Sequence, residues 1–312
     1  MSRIDVVVPC YNYGAFLREC VDSVTRQSHR DLRVLIIDDA STDETPSVAA
    51  AIAAEDDRVE VQRHATNHGH IDTYNEGITW AEGHYWLLLS ADDFLLPGAI
   101  ERAVGALDAY RDLGLIYGAF AQFSSRESLP YQIWRPSGSL DPVATLPAEP
   151  VASREVHLWG AAALIDRLIV GNHIAVATAV ARVDVQRKIG PYRNDLKHAG
   201  DLEMWLRFAL QSKVGYIDSL QAVYRQHDQN MSTGYLGYRD FRQRVRAFDL
   251  HMDEIRGLAP NGGELVRQIN RRHAIKATKW AARSLLGGRF KQLKELCGYA
   301  MRTKPFAESD LV

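Results

Sequence analysis

Two adjacent carboxylates close an apolar run in Trp86-Leu87-Leu88-Leu89-Ser90-Ala91-Asp92-Asp93, and a second pair closes Val34-Leu35-Ile36-Ile37-Asp38-Asp39. Carboxylates beside buried strands are costly unless a cation or metal pairs with them. Hard oxygen ligands favour Mg²⁺ or Mn²⁺, and Mg²⁺ commonly rests on one or two carboxylates plus substrate phosphates. The competing reading is helix capping: Asp93 for a helix near Pro97, and Ser41, Thr42 or Asp43 for one beginning near Glu44. Capping leaves Asp39 over, and at a strand tip its acceptor oxygens suit an N–H of a nucleobase. Tyr11, beside that tip, offers a ring for stacking, or is an ordinary aromatic in a strand-to-helix turn.

Two further stretches carry chemistry. His198-Ala199-Gly200-Asp201-Leu202-Glu203-Met204-Trp205 places an acid at the start of an amphipathic helix, where Asp201 suits an N-cap or a general base. Tyr224-Arg225-Gln226-His227 ends a strand with a guanidinium and an imidazole able to touch phosphate or metal, an ordinary surface histidine being the other reading.

These side chains need elements to deliver them. Ile4 to Pro9 reads as a strand and Ala15 to Val24 as a helix, and the alternation repeats with strands at Leu32 to Ile37, Val59 to Gln62, Tyr85 to Leu89 and Leu115 to Tyr117. Helices at Thr45 to Ala54, Ile71 to Ala81 and Gly98 to Tyr110 lie between them. Such alternation predicts an α/β fold with a mostly parallel sheet, in which ligands bind beyond the carboxyl ends of the strands. The polar residues sit at those ends: Cys10-Tyr11-Asn12, Asp38-Asp39, Asn67-His68-Gly69-His70 and Ser90 to Asp93. One rim is therefore expected to gather them. Beyond Gly118, Ser124 to Pro150 reads as a long loop or insertion. Val156 to Val170 then reads as a helix, Asn172 to Val183 as an apolar segment, and Leu202 to Leu210 as a helix. Val214 to Ile217 and Ala222 to Tyr224 suggest short strands, and Tyr238 to Ile255 and Gly263 to Met301 two closing helices.

Composition narrows the class. With 312 residues, 46% hydrophobic and 24% charged, the chain is an ordinary folded protein of one large domain or two modest ones. Cys10, Cys20 and Cys297 are odd in number and lack C-x-x-C spacing, which suits a reducing, cytosolic setting. No apolar run approaches the ~18 residues of a membrane span, and the start lacks a secretory h-region. The formal net charge of −2 hides an asymmetry, since Leu265 to Phe306 holds eleven Lys/Arg and one acid, Glu295. That tail reads as a basic amphipathic helix on an anionic membrane surface or as a packed helix with a solvated basic face. The absence of G-x-G-x-x-G after a strand, of a P-loop, of H-E-x-x-H and of G-x-S-x-G argues against dinucleotide oxidoreductases, P-loop enzymes, zincins and α/β-hydrolases.

Taken in order, "VVVPCYNYGAFLRECVDSVTRQSHRDLRVLIIDDASTDET", "NHGHIDTYNEGITWAEGHYWLLLSADDFLLPGAIE", "KIGPYRNDLKHAGDLEMWLRFAL" and "VYRQHDQNMS" resemble the inverting, nucleotide-sugar-dependent glycosyltransferases of family 2. The resemblance implies a GT-A, Rossmann-like sheet flanked by helices, with a C-terminal helical extension. It implies a nucleotide-sugar half at 1–118, an acceptor and catalytic-base half of the same domain at 119–232, and a helical region at 233–312. Tyr11 would flank a uracil ring, Asp39 would hydrogen-bond it and Asp38 would support the turn. Pro9, Asn12, Asn67, Gly69 and Asp92 would complete the nucleotide contacts. Asp92 would lie near ribose and diphosphate, Asp93 would contact the divalent metal directly, and His227 would help hold metal or diphosphate. Asp201 would be the catalytic base. A UDP-sugar donor, a saccharide or lipid-linked acceptor in cell-surface polysaccharide or glycoconjugate synthesis, Mg²⁺ or Mn²⁺, and no nucleic acid follow from the same resemblance. Ser90 stands where many relatives carry a first aspartate and Gly200 where they carry the glutamate before the base, which keeps a catalytically silent nucleotide-sugar binder as the rival reading.

Overall fold

β-branched runs ending in polar turns build the first half of the sheet. The computed structural model describes residues 2–124, 128, 130–136, 140–146, 155–228, 230 and 237–302. β1 (Ile4–Cys10), α1 (Gly14–Thr25), β2 (Leu32–Asp38), α2 (Thr45–Glu55), β3 (Val59–Arg63), α3 (His70–Trp80) and β4 (Tyr85–Leu88) follow in alternation. The strands pair in parallel in the order β3-β2-β1-β4, so the order reverses at β1 and a crevice opens between the ends of β1 and β4. The strands deliver side chains to both faces, as the period of two requires. Ile4, Val6 and Val8 join the core beneath α1 and α2, whereas Val7 joins the core on the opposite face.

The second half departs from the sequence expectation in several places. β5 (Phe94–Leu95) and α4 (Ala99–Ala109) lead into β6 (Leu113–Ser124), a strand of 12 residues rather than the short one expected. Part of the expected loop at Ser124 to Pro150 forms β7 (Tyr131–Trp134) and β8 (Leu140–Val143), while 125–127, 129, 137–139 and 147–150 lie outside the described residues. The aromatic and β-branched residues of β7 have a cross-strand partner: the Trp134 ring stacks on that of Phe120 with centroids 6.0 Å apart.

Val156 to Val170 is not one helix. β9 (Val156–Trp159) pairs antiparallel with residues Val214 to Ile217, and Gly160 separates it from α5 (Ala161–Val170). Apolar spacing alone cannot tell a short strand from a helical turn. A 3₁₀ turn at Val176–Thr178, β10 (Val180–Arg182), α6 (Val183–Ile189) and α7 (Gly200–Gln211) resolve the next stretch. The two short strands expected near its end are one strand, β11 (Lys213–Gln226), because Asp218 and Ser219 form an irregularity in its register rather than a turn. β10 inserts antiparallel between β4 and β6, and β11 runs parallel to β6, so that among the described residues one 11-stranded sheet forms in which β1, β2, β3, β4, β6 and β11 point the same way and the others pair antiparallel as its insert and fringe.

The closing helices break where glycine or a local turn allows it: α8 (Tyr238–Asp249), α9 (Met252–Arg256), α10 (Gly262–Leu286) and α11 (Phe290–Arg302). Leu265, Val266 and Ile269 of α10 enter the same core as α5 and α7, while Phe241, Val245, Ala277 and Leu296 join α8, α10 and α11 into a smaller cluster. Among the described residues, no helix is long and apolar enough to cross a membrane.

Candidate active site

The carboxyl ends of the early strands open on a cavity of about 1360 Å³. Pro9, Tyr11 and Asn12 line it after β1, Asp39 after β2, and Asn67 and Gly69 before α3. Ser90, Asp92 and Asp93 line it after β4, and Asp201 faces them from the first turn of α7. Asp38 and His227 stand behind this wall in different ways.

The Asp38–Asp39 turn is tied by its own side chains. Ala40 adopts a left-handed φ of 62°, a conformation that costs an L-residue roughly 1–2 kcal/mol. Asp38, fully buried, accepts the Ser41 N–H at 2.9 Å and has its other oxygen 3.1 Å from Arg63 Nε, so it supports the turn from below rather than reaching the cavity. Asn12, also left-handed at φ 57°, donates its N–H to Ser41 Oγ and accepts the Thr42 N–H, joining the two strand ends. Asp43 receives the N–H groups of Gly14 and Thr45, so one carboxylate serves the starts of α1 and α2.

Asp39 is held by three donors. Oδ1 accepts from His64 Nδ1 and from the His68 N–H, both at 2.7 Å, and Oδ2 accepts the Gly69 N–H at 2.8 Å. A carboxylate offers about four lone-pair positions, so one position on Oδ2 remains for a ligand N–H. Burial would raise this carboxyl, but the three hydrogen bonds outweigh it and hold it below the ordinary value. Gly69 has φ 87°, which lets its N–H turn back to Asp39 just before α3 begins. The Tyr11 ring is 45% exposed at the same rim, free to stack on a planar ligand.

His64 carries no expectation from the sequence, yet it organises this corner. Nδ1 faces Asp39 and Nε2 faces Glu76 at 2.7 Å, so the ring bridges two carboxylates. Burial works to lower its pKa, but both carboxylates prevail and raise it. Potential ligand atoms of Asp39, His64 and His68 lie within 4.8 Å of one another. An imidazole whose two nitrogens already serve carboxylates is a hydrogen-bonded bracket rather than a metal ligand. His64→Phe removes a charge-assisted hydrogen bond worth ~1.5–3 kcal/mol and is expected to weaken a ligand held by the free position of Asp39 by about 10–100-fold. Titration calorimetry with the nucleotide diphosphates that the resemblance implies checks this.

The second carboxylate pair does not cap a helix. Gly98 precedes α4 and no side chain caps that helix. Asp93 instead accepts the Arg225 N–H at 3.0 Å, and Asp92 Oδ2 faces His227 Nε2 at 3.2 Å and Asn230 Nδ2 at 3.1 Å. Burial, with the Asp92 charge next to it, pushes the Asp93 carboxyl well above the usual range, and burial also raises that of Asp92. Arg225 is turned inward instead of meeting a ligand. Its Nη1 donates to the Asp92 carbonyl at 3.1 Å, its Nη2 pairs with Glu19, and its guanidinium lies between the Phe16 and Phe94 rings. A divalent cation fits the two buried carboxylates of Asp92 and Asp93, with His227 beside them, since His227, Asn230 and Arg225 offset their burial only in part. These three groups are not gathered within the 4.8 Å reached by the His64 cluster. Mg²⁺-type sites need only one or two carboxylates when phosphate oxygens and water complete the shell.

Asp201 is also not a cap, because α7 begins at Gly200 with no side-chain cap from Ala199. Burial lifts its carboxyl to about 6, while a hydrogen bond from Tyr192 pulls the other way. Past it the wall continues through Phe120, Trp134, Arg135 and His173, residues of the second half that the sequence did not single out.

The description "Glycosyl transferase family 2" matches residues 5–157, the stretch that carries both carboxylate pairs. Residues 5–157 thus carry a family 2 glycosyltransferase domain. Glycosyltransferase GlyG of Streptococcus pneumoniae is 35% identical over 98 residues, which cover 31% of this chain and 33% of that relative. The chain thus spans about a third of that relative's length. Staphylococcus aureus TarS 1–349 in complex with UDP-GlcNAc superposes with a TM-score of 0.71 at 17% identity, covering 97% of this chain and 82% of that one. Mannosyltransferase PcManGT from Pyrobaculum calidifontis, in complex with GDP-Man and Mn²⁺, superposes with a TM-score of 0.59 at 16% identity, covering 97% and 84%. The fold of this chain is therefore GT-A, with a mostly parallel sheet flanked by helices and a helical C-terminal region.

Proposed function

We propose that this protein transfers a sugar from a nucleotide-diphosphate donor, a UDP-sugar, to an acceptor hydroxyl in one inverting displacement. The observation that carries the reading is one cavity holding a donor rim and, facing it, a carboxylate that burial lifts to about 6, with no cation beside it among the described residues. Tyr11 would stack on the base and the free position of Asp39 would accept its N–H, with Pro9, Asn12, Asn67 and Gly69 shaping that end. Asp92 and Asp93, with His227, would hold a divalent cation, Mg²⁺ or Mn²⁺. Such an ion supplies Lewis-acid stabilisation of the leaving diphosphate. Asp201 would take the proton from the acceptor hydroxyl, a task suited to a base whose pKa lies near working pH. Attack from the side of Asp201, opposite the diphosphate, inverts the anomeric centre. The Mn²⁺ and nucleotide sugars named for the structural neighbours support this reading, and an NMR assignment of the product linkage tests it: an α-linked donor should give a β-linked product, and a retained α linkage would refute single displacement.

The acceptor is a saccharide hydroxyl, free or lipid-linked, and the stacked Phe120 and Trp134 rings on the far wall suit a sugar face. The turn between α10 and α11 supports membrane contact. Leu285, Leu286 and Phe290 are 57%, 90% and 69% exposed there, amid the exposed Arg283, Arg289, Lys291 and Lys294. Cations near an anionic surface contribute about 1 kcal/mol each at low salt. The protein is expected to co-sediment with vesicles containing anionic phosphatidylglycerol at low salt, to be released at high salt, and to lose binding in Leu286→Asp/Phe290→Asp. Failure of the wild type to co-sediment removes the membrane role and with it a site at the inner membrane face.

A further inference from the structure

Tyr192 lies in the loop between α6 and α7, 3% exposed and outside the cavity wall. Its backbone is clamped to α3, where Asn75 Nδ2 donates to the Tyr192 carbonyl at 3.0 Å and the Tyr192 N–H donates to Asn75 Oδ1 at 2.7 Å. Its ring packs edge-on against Tyr74 of α3 with centroids 5.5 Å apart. On the other side the ring lies against Gly200: a Cβ added there would stand 3.3 Å from Tyr192 Cδ1 and 3.7 Å from Ile71 Cδ1. The phenol lies within reach of the next residue, Asp201, and favours its ionised carboxylate.

We propose that Gly200 and Tyr192 form one device, in which the missing side chain at 200 admits the tyrosine ring and the phenol fixes the Asp201 carboxylate toward the cavity. Tyr192 is a positioning residue, since it touches the base and not the substrate. The glycine standing where relatives carry a glutamate is then a notch with a purpose rather than a lost acid, and α3, which also carries the donor-side loop at its start, is tied to the base through Asn75, Tyr74 and Tyr192. The inference rests on Asp201 being the base. A phenol donating to a carboxylate favours the ionised form, and among the described residues no guanidinium or ammonium shares that role at Asp201. The other titratable groups facing it are Tyr74 on α3 and, across the cavity, Asp92 and Asp93.

The test is the pH profile of kcat/KM for nucleotide release, with donor binding measured separately by calorimetry. In Tyr192→Phe, which keeps the ring, the acid limb should move up by about one pH unit, a roughly tenfold change in proton affinity, with the donor dissociation constant within about twofold. Gly200→Glu, which restores the residue expected from relatives, should lower kcat more than tenfold because it crowds the ring. An acid limb unmoved in Tyr192→Phe together with normal turnover in Gly200→Glu would overturn the proposal. Should Tyr192→Phe fail to fold by circular dichroism, Gly200→Ala, whose Cβ presses on the same ring, reads the same limb. If Asp201→Asn retains turnover, the base assignment has failed, and that result is separate from an unmoved limb in Tyr192→Phe.

Discussion

Asp201→Asn is expected to lower kcat by about 10²–10⁴-fold while leaving the donor dissociation constant within about twofold, because a positioned base acts on the acceptor proton and not on the nucleotide. Asparagine keeps the shape and an acceptor for the Tyr192 phenol, so the fold should survive. The wild-type profile should show the same group: the base works only when ionised, so kcat/KM should fall as pH drops through about 6 and level off above it. In Asp201→Asn the acid limb should vanish along with the activity. Turnover near the wild-type value would remove Asp201 from the chemistry.

Asp93→Asn should separate stability from function. The buried Asp93 carboxylate accepts one backbone N–H and faces the Asp92 charge, and the nearby Arg225 charge offsets burial and that repulsion only in part. Asparagine still accepts from the Arg225 N–H and removes that charge. The metal-free variant is therefore expected to melt at the same temperature as wild type or higher, by an amount worth about 1–3 kcal/mol. Mn²⁺ should raise the wild-type melting temperature by mass action and leave the variant unmoved. Turnover should fall roughly 10²–10³-fold, the scale of losing one electrostatic stabiliser of the transition state. Thermal melts with and without Mn²⁺, followed by a nucleotide-release assay, check both halves. A variant that melts lower and still responds to Mn²⁺ would show that Asp93 holds the fold and not the ion.

The first half of the fold was legible because local pattern and tertiary role coincide there. β1, β2 and β4 are short apolar runs buried on both faces, β3 is an exposed edge strand buried only at Val59, and polar residues follow each of the four, so periodicity and the strand-end rule name the same rim. The second half hides its strands. β7 lies in a segment rich in Ser and Pro and is stabilised by pairing with β6, and β9 becomes a strand only because β11 runs alongside it, contacts that no local window contains. The same division runs through the site. Asp92, Asp93 and Asp201 could be read from type and position, but whether each capped a helix was a matter of geometry, and in both places the helix starts without them. Arg225 looked like a phosphate contact at a strand end and instead folds inward between Phe16 and Phe94. Asp38, expected to support the turn it shares with Asp39, lies beneath it. His64 and Tyr192 had no motif to announce them, since each acts through the carboxylate it touches. The one signal within reach was a histidine directly after β3, at the same strand-end level as Asp39.

The central claim is that the cavity transfers sugar with metal assistance and does not merely hold a nucleotide sugar. It is tested most directly by offering the protein a panel of UDP- and GDP-sugars with a saccharide acceptor mixture and measuring nucleotide release with and without Mn²⁺. Acceptor-dependent release of UDP from one donor, present with Mn²⁺ and abolished by chelation, is the predicted result. Tight, saturable donor binding with no nucleotide released under any of these conditions would contradict it and identify a silent binder.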